Sequence, residues 1–211
     1  MQSKTVMLLT LFIISCIEAS DDPVRFRAAQ PEGQSNEKGI PKRLLGQYVN
    51  LNDSAGMEIT SRGIVIFKFK NFATLIDSAD RKELKGDTSY FVIEHQSRID
   101  VLVRGDSAFE KWTFYDTIFD ASRGDILRKY KGRYFLNRKV AEDNWRVKTL
   151  TGIKNGVTLG TVSAKDDIAK LREITGSKVD SINNFRLTRK ELRKFLKENG
   201  FDDKETYLRL K

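Results

Sequence analysis

Cysteine, histidine and proline are scarce in this chain of 211 residues, which contains one, one and three of them. A single cysteine cannot form a disulfide within the chain, and it excludes a metal site built from several thiolates. A single histidine, His95, excludes a site made mainly of imidazoles, and no Gly-x-Ser-x-Gly motif supplies a hydrolase nucleophile. We therefore expect a fold that rests on packing alone, without a metal or a cofactor.

Long apolar runs are also scarce, and the longest lies near the N-terminus between Lys4 and Cys16. A positive residue followed by an apolar stretch of this length is typical of a secretory signal peptide, and the stretch is too short to span a bilayer. Its end, Ile13-Ile14-Ser15-Cys16, resembles the lipobox of bacterial lipoproteins. The resemblance implies that residues 1–15 are removed and that Cys16 carries acyl chains that hold the protein in a membrane.

An ordinary signal peptide cut after Ala19 is the alternative, and Cys16 would then be lost. We favour the lipoprotein because the four residues stand where cleavage is expected. The layout of the chain also resembles that of lipoproteins of Bacteroidetes, with a lipobox, a spacer, a Leu-x-Gly-x-Tyr strand at 44–48, further strands and a Thr-x-x-Glu helix before Gly-Phe. This resemblance implies an outer-membrane lipoprotein that faces the periplasm or the cell surface, and it implies no activity.

The segment 16–43, which follows the signal peptide, contains all three prolines. Its central part, 30–39, is polar and shows no apolar periodicity. Such a segment buries too little surface to offset the entropy lost on ordering. We therefore predict that the lipidated cysteine is followed by a flexible tether up to residue 43.

From residue 44 to 164, short runs rich in β-branched and aromatic residues alternate with turn signals, which predicts a mainly β domain, an antiparallel barrel or sandwich. Gly46-Gln47-Tyr48 and Gly132-Arg133-Tyr134 share a Gly-x-Tyr pattern that fits two related β halves and weakly resembles the opening of lipocalin-like barrels. A glycine at a strand bend beside a core aromatic explains the pattern as well. Asn155-Gly156 predicts a hairpin turn between the last two strands. The predicted strands are 44–50, 57–60, 64–69, 88–94, 98–103, 111–119, 126–130, 133–137, 145–150 and 157–162.

The last segment, 165–211, predicts a small helical appendage that packs on the β domain. One helix is expected over 166–174. A second begins at the capping box Thr188-Arg189-Lys190-Glu191 and stops at Gly200. Its apolar stripe consists of Leu192, Phe195 and Leu196, and we expect Phe201, Tyr207 and Leu208 to pack back on the sheet.

Two groups of residues are candidate binding sites. Asp116 interrupts an apolar face that begins at Trp112, and a carboxylate there can bind a ligand, act in catalysis or simply lie at the rim of the sheet. The second group is basic and lies opposite the apolar stripe of the last helix, where it suits an anionic envelope glycan or lipid, or an outer-membrane protein. The solvated face of an amphipathic helix explains the same pattern. The basic residues are Arg189, Lys190, Arg193 and Lys194.

These patterns favour a membrane-anchored module of the cell envelope that binds a partner or has an accessory role, without catalysis. The formal net charge of +9 favours anionic partners, but an exported protein rarely meets nucleic acid, which we do not expect as a partner. The alternative is a carbohydrate-active hydrolase, because glycosidases need only two correctly spaced carboxylates. Asp116 and Asp120 stand among aromatic residues and are the candidates for such a pair.

Overall fold

The computed structural model describes residues 24–75, 88–93, 96–163, 166–176 and 183–211. The predicted signal peptide, Cys16, the predicted tether up to residue 23 and His95 lie outside the described residues, so the predictions about them stay predictions. Among the helices of the described part, none has both the length and the apolar character needed to cross a membrane.

Thirteen strands of the described residues join in one sheet. They are β1 (Val24–Phe26), β2 (Gly46–Asn50), β3 (Gly56–Ile59), β4 (Gly63–Leu75), β5 (Thr88–Val92), β6 (Ser97–Arg104), β7 (Ser107–Asp120), β8 (Ile126–Tyr130), β9 (Arg133–Ala141), β10 (Asn144–Ile153), β11 (Gly156–Thr161), β12 (Asn183–Phe185) and β13 (Asp203–Arg209). Their order is β12-β1-β10-β11-β13-β2-β3-β4-β7-β6-β5, and β9 and then β8 extend the sheet from β10. Only β1 and β12 pair in parallel within this described sheet. The prediction of a mainly β, antiparallel fold is confirmed.

Nine strands curl around a first core, which contains Tyr48 and Tyr134 of the two Gly-x-Tyr patterns. The curl brings β9 to β7, where Arg138 Nη1 donates to the backbone oxygen of Thr117 at 2.8 Å. No ladder joins these two strands in the described part, so the sheet is not closed. We call this region the curled sheet: β2, β3, β8 to β11, β13, residues 63–66 of β4 and residues 116–120 of β7.

The C-terminal segment contains two α-helices among its described residues, α1 (Asp166–Thr175) and α2 (Arg189–Lys197). The predicted capping box is present, since Thr188 Oγ1 accepts from the Glu191 N–H at 3.3 Å and Glu191 Oε2 accepts from the Thr188 N–H at 2.8 Å. Beyond α2 the left-handed residues are Asn199 and Phe201, with φ of 58° and 61°, and not Gly200. A glycine is required at 200 for packing, because a Cβ there would lie 2.6 Å from the Phe195 ring.

A second core joins these helices to the sheet through Phe201. Its ring centroid lies 5.4 Å from that of Phe195, 5.9 Å from that of Phe135 and 6.4 Å from that of Phe26. Phe201 therefore packs back on the sheet, as predicted. The segment is more than a helical appendage, because β13 lies inside the sheet between β11 and β2 and places Tyr207 in the first core.

The hairpin predicted at Asn155-Gly156 forms, but its two-residue loop is Lys154-Asn155 and Gly156 belongs to β11. A glycine is needed at 156 because β13 passes close to its backbone, and not because of the turn. A Cβ on Gly156 would lie 2.1 Å from the backbone oxygen of Tyr207, so no side chain fits there.

Residues 24–43, predicted as part of a flexible tether, make specific contacts with the curled sheet. Asn137 is fully buried, accepts from the backbone N–H of Gln30 at 2.6 Å and donates to its carbonyl at 2.8 Å. Arg128 donates to the carbonyl of Pro31 at 2.9 Å and to Asn36 Oδ1 at 3.0 Å. Apolar side chains anchor its two ends, Val24 and Phe26 in the second core and Ile40 in the first, while polar side chains of the sheet hold the backbone between them.

A four-stranded extension projects from the curled sheet, and we call it the wing. It consists of β5, β6, residues 67–75 of β4 and residues 107–115 of β7. A small core of Ile99, Val101 and Ala108, with Trp112 packed against it, lies on one face of the wing. The opposite face of the wing carries the candidate site.

Candidate binding groove

Exposed apolar side chains are concentrated on the wing. Of the twelve large ones exposed among the described residues, seven lie on the four wing strands. A soluble surface rarely gathers so many apolar groups in one region without a binding role. They are Phe69, Phe72, Leu75, Phe91, Leu102, Phe109 and Tyr115.

Strand register places most of the wing's aromatic rings on the face opposite its small core. Directly opposed residues of an antiparallel pair lie on the same face. Phe67 opposes Tyr115, and Phe69 opposes Thr113, which in turn opposes Arg98 on β6. Arg98 opposes Phe91 on β5, which completes a row across all four strands. We call this side the groove face.

A groove of about 580 Å³ opens on the groove face near the base of the wing. Its apolar wall consists of Val65 and of the Phe67, Phe69 and Tyr115 rings. Phe67 and Phe69 meet edge to face with ring centroids 5.6 Å apart, and Tyr115 lies 6.4 Å from Phe91 just beside the groove. The rings of Phe69 and Tyr115 are 44% and 36% exposed, so part of each remains available to a ligand. The remaining lining residues are Glu58, Arg98, Asp100 and Thr113.

The polar side of the groove carries balanced charges. Arg98 Nε donates to Asp100 Oδ1 at 2.9 Å. Hydrogen bonds from Ser89 and from Arg98 hold the pKa of Asp100 below its ordinary value, so the carboxylate stays ionised at neutral pH. At the edge of the groove the Lys111 ammonium lies 4.4 Å from the centre of the Phe69 ring, a cation–π contact. The groove therefore offers hydrogen-bonding groups without a strong net charge.

The two carboxylates of the groove do not have the geometry of a glycosidase pair. Glu58 lies on β3 and Asp100 on β6, with β4 and β7 between them. Three strand spacings of about 4.8 Å each separate these strands by about 14 Å, whereas glycosidase carboxyls stand about 5 to 9.5 Å apart. The lowered pKa of Asp100 also opposes the role of general acid, which needs a raised pKa.

The two carboxyls of the described part whose pKa is raised, Asp125 and Asp167, both lie outside the groove. Burial raises both pKa values. Asp125 accepts the backbone N–H of Asp120 at 2.8 Å, and Asp167 accepts those of Phe201 and Ser163 at 3.0 and 3.1 Å. Each carboxyl therefore satisfies backbone donors at a loop or helix start, which accounts for its burial without catalysis.

The first predicted site group does not lie in the groove. Trp112 sits on the opposite face of the wing, packs against the small core, and donates through Nε1 to Glu110 at 2.7 Å. Asp116 is exposed on that same face, where it opposes Ile66. Asp120 ends β7 and accepts from the backbone N–H of Ser122 at 2.9 Å, which caps a short 3-10 turn at Ala121–Arg123.

The second predicted group lies exposed on α2, as expected. Its residues have partners within the chain: Arg189 donates to Gln34 Oε1 at 2.9 Å, and Arg193 donates to Tyr130 Oη at 3.4 Å. Lys194 lies 3.6 Å from Glu173 and 3.8 Å from Glu198. Lys190 belongs to the same surface, and none of the four lines the groove. Gln34 and Tyr130 are neutral, so among these contacts only those of Lys194 offset positive charge, and the surface stays basic.

Sequence reasoning missed the groove residues Phe67, Phe69 and Arg98 as a site. The available signal was a strand with aromatic residues at alternate positions, combined with the alternating charges of Arg98 and Asp100 on another. That signal indicates a shared site only once the order and register of β4, β7 and β6 are known, because these place the residues on one face of the sheet.

Comparisons with known proteins add no assignment, since no family model, no curated protein and no solved structure matched the chain. In the described part, no group of three or more His, Cys, Asp or Glu side chains is placed to hold a metal ion.

Proposed function

We propose that the protein is a lipid-anchored binding module of the bacterial cell envelope that acts without catalysis and takes its ligand in the wing groove. The observation that carries the proposal is the groove itself, where half-exposed aromatic rings face a paired arginine and carboxylate. A pocket with apolar walls and a few convergent polar groups is the usual form of a ligand site. The separation of Glu58 from Asp100 favours binding over hydrolysis.

The anchor rests on the lipobox ending at Cys16. Several acyl chains on this residue would bind the membrane firmly, since each buried methylene contributes about 0.8 kcal/mol. In Cys16→Ala cells the protein should leave the membrane fraction, and its intact mass should lack the acyl chains of the wild type. A wild-type protein that is soluble and begins at Ser20 would contradict the anchor.

Occupancy of the groove can be tested without knowing the ligand. Tyr115 lines the groove, whereas Tyr130 contacts Arg193 of α2, so the two tyrosines report on the two candidate surfaces. We would nitrate tyrosines in intact envelopes and in purified protein and compare each residue by mass spectrometry. The proposal expects Tyr115 to be protected in the envelope and Tyr130 to react equally in both. Protection of Tyr130 alone would favour the basic helix as the binding surface, and Tyr115 without protection would contradict the groove.

A further inference from the structure

The chemical character of the groove narrows the class of its ligand, on the basis of the proposed function above. Five of its eight lining side chains carry hydrogen-bonding groups and three are aromatic, with Tyr115 belonging to both sets. An apolar chain would cover these polar groups and remove their water, which is costly wherever no hydrogen bond within the protein replaces it. The ligand must therefore be amphipathic.

Charge narrows the class further. Glu58 and Asp100 both line the groove, and the one lining cation, Arg98, is already bound to Asp100 at 2.9 Å. A polyanion would meet two carboxylates and no unbound guanidinium. A polycation would compete with Arg98 and approach Lys111 at the groove edge. Electrostatic complementarity therefore favours an uncharged ligand.

The position of the groove also bears on how a ligand is held. It lies on the face of the sheet, and β7 beneath it pairs on both sides, with β4 and with β6. A peptide that adds as another strand would pair at the edge of β4 beyond Phe67, where the ladder with β3 ends, and not on the groove face. Recognition on the groove face itself therefore comes from side chains, through ring faces and through hydrogen bonds to hydroxyl-type groups.

We infer that the groove binds an uncharged glycan. A sugar ring has an apolar face of C–H groups, which are attracted to the negative face of an aromatic ring, and hydroxyl groups around its edge. Phe69 and Tyr115 provide the ring faces. Arg98, Asp100 and Thr113 provide donors and acceptors beside them. The groove is open, so a chain of sugars can enter along its length rather than only at one end.

The test uses the full-length protein in detergent and affinity electrophoresis through gels that contain uncharged polysaccharides (a β-glucan, a mannan, a xyloglucan) or anionic polygalacturonate. The wild type should be retarded by at least one uncharged polymer. Phe69→Leu, which keeps an apolar side chain but removes the ring, should weaken this binding at least tenfold. The matched control is Phe72→Leu, because Phe72 is exposed to a similar degree on the same strand but on the opposite face. Its binding should stay within twofold of wild type.

Three results would overturn the glycan assignment: no retardation by any uncharged polymer, stronger retardation by polygalacturonate, or equal losses in Phe69→Leu and Phe72→Leu. The nitration experiment keeps this failure separate from failure of the proposed function. If Tyr115 is protected in envelopes while no uncharged polymer binds, the groove has a ligand of another class. If Tyr115 is unprotected and nothing binds, both proposals are wrong.

Discussion

The curled sheet and the wing share strands β4 and β7, yet aromatic side chains are buried in the curled sheet and largely exposed on the groove face of the wing. On β7, Phe119 lies in the first core and is 1% exposed, while Phe109 on the same strand is 44% exposed in the wing. Ladder hydrogen bonds with β4 run through both regions. The difference shows that pairing between β4 and β7 is enough to form the strand, whereas burial decides whether a side chain contributes to the stability of the fold. In the curled sheet the rings are buried and stabilise the fold, whereas on the groove face they stay exposed, as the proposed binding role requires.

The sharpest test of this difference is Phe119→Ala. Removing a fully buried ring should lower the free energy of unfolding by about 3 to 5 kcal/mol, because the cavity is only partly filled by relaxation. Chemical denaturation measures this loss. The control is Val140→Ala on β9, whose exposed side chain should matter by no more than about 0.5 kcal/mol. Equal losses in the two variants would show that Phe119 does not serve the core.

The same comparison can be extended to residues 24–43, which the structure attaches to the curled sheet. In Asn137→Ala, two backbone groups of Gln30 lose their partners, and each should cost about 1 to 3 kcal/mol. A protease should then cut within 27–43 faster than in wild type. Asn71→Ala, at an exposed position of the wing, is the matched control. Unchanged cleavage in Asn137→Ala would support the flexible tether instead.

A smaller effect concerns the stability of the protein at alkaline pH, where a buried tyrosine of the first core titrates. Burial, together with the hydrogen bond to Glu205, raises the pKa of Tyr207 above its ordinary value. The native state therefore holds this proton more tightly than the unfolded state, so the stability is complete below pH about 10 and falls above it, by about 1.4 kcal/mol per pH unit.

Melting temperatures between pH 8 and 11.5 measure this slope. Tyr207→Phe should reduce the slope, because position 207 no longer titrates, while Tyr48, whose pKa burial also raises, still contributes. Val140→Ala removes no titratable group and should leave the slope as in wild type. An identical slope in all three proteins would contradict the role of Tyr207.

The strands were predictable where apolar residues alternate with polar ones and where turn residues bound the run. The predicted 126–130 matches β8, and most other predicted strands lie within a few residues of the observed ones. The wing was the exception, because the prediction ended at Phe69 while β4 continues to Leu75. The polar Lys70 and Asn71 interrupt the apolar alternation there, and the strand continues to Leu75 through its pairing with β7.

The site was less predictable than the fold for a physical reason. Asp116 and Trp112 are conspicuous within one strand, but the groove gathers residues from four strands, among them Glu58 and Arg98. Which faces meet depends on strand order and register, which are long-range properties. The attachment of 24–43 was missed for the same reason, since Asn137 recognises backbone more than 100 residues away in sequence, at Gln30.

The most direct test of the central claim is the free energy of unfolding of the variant in which Phe69, Phe91 and Tyr115 are all changed to alanine. If these rings are left for a ligand, the triple variant should lose less stability in denaturant titrations than Phe119→Ala loses alone. A loss equal to or larger than that of Phe119→Ala would show that the three rings belong to the structural core of the wing, and the account of the groove as a binding surface would be wrong.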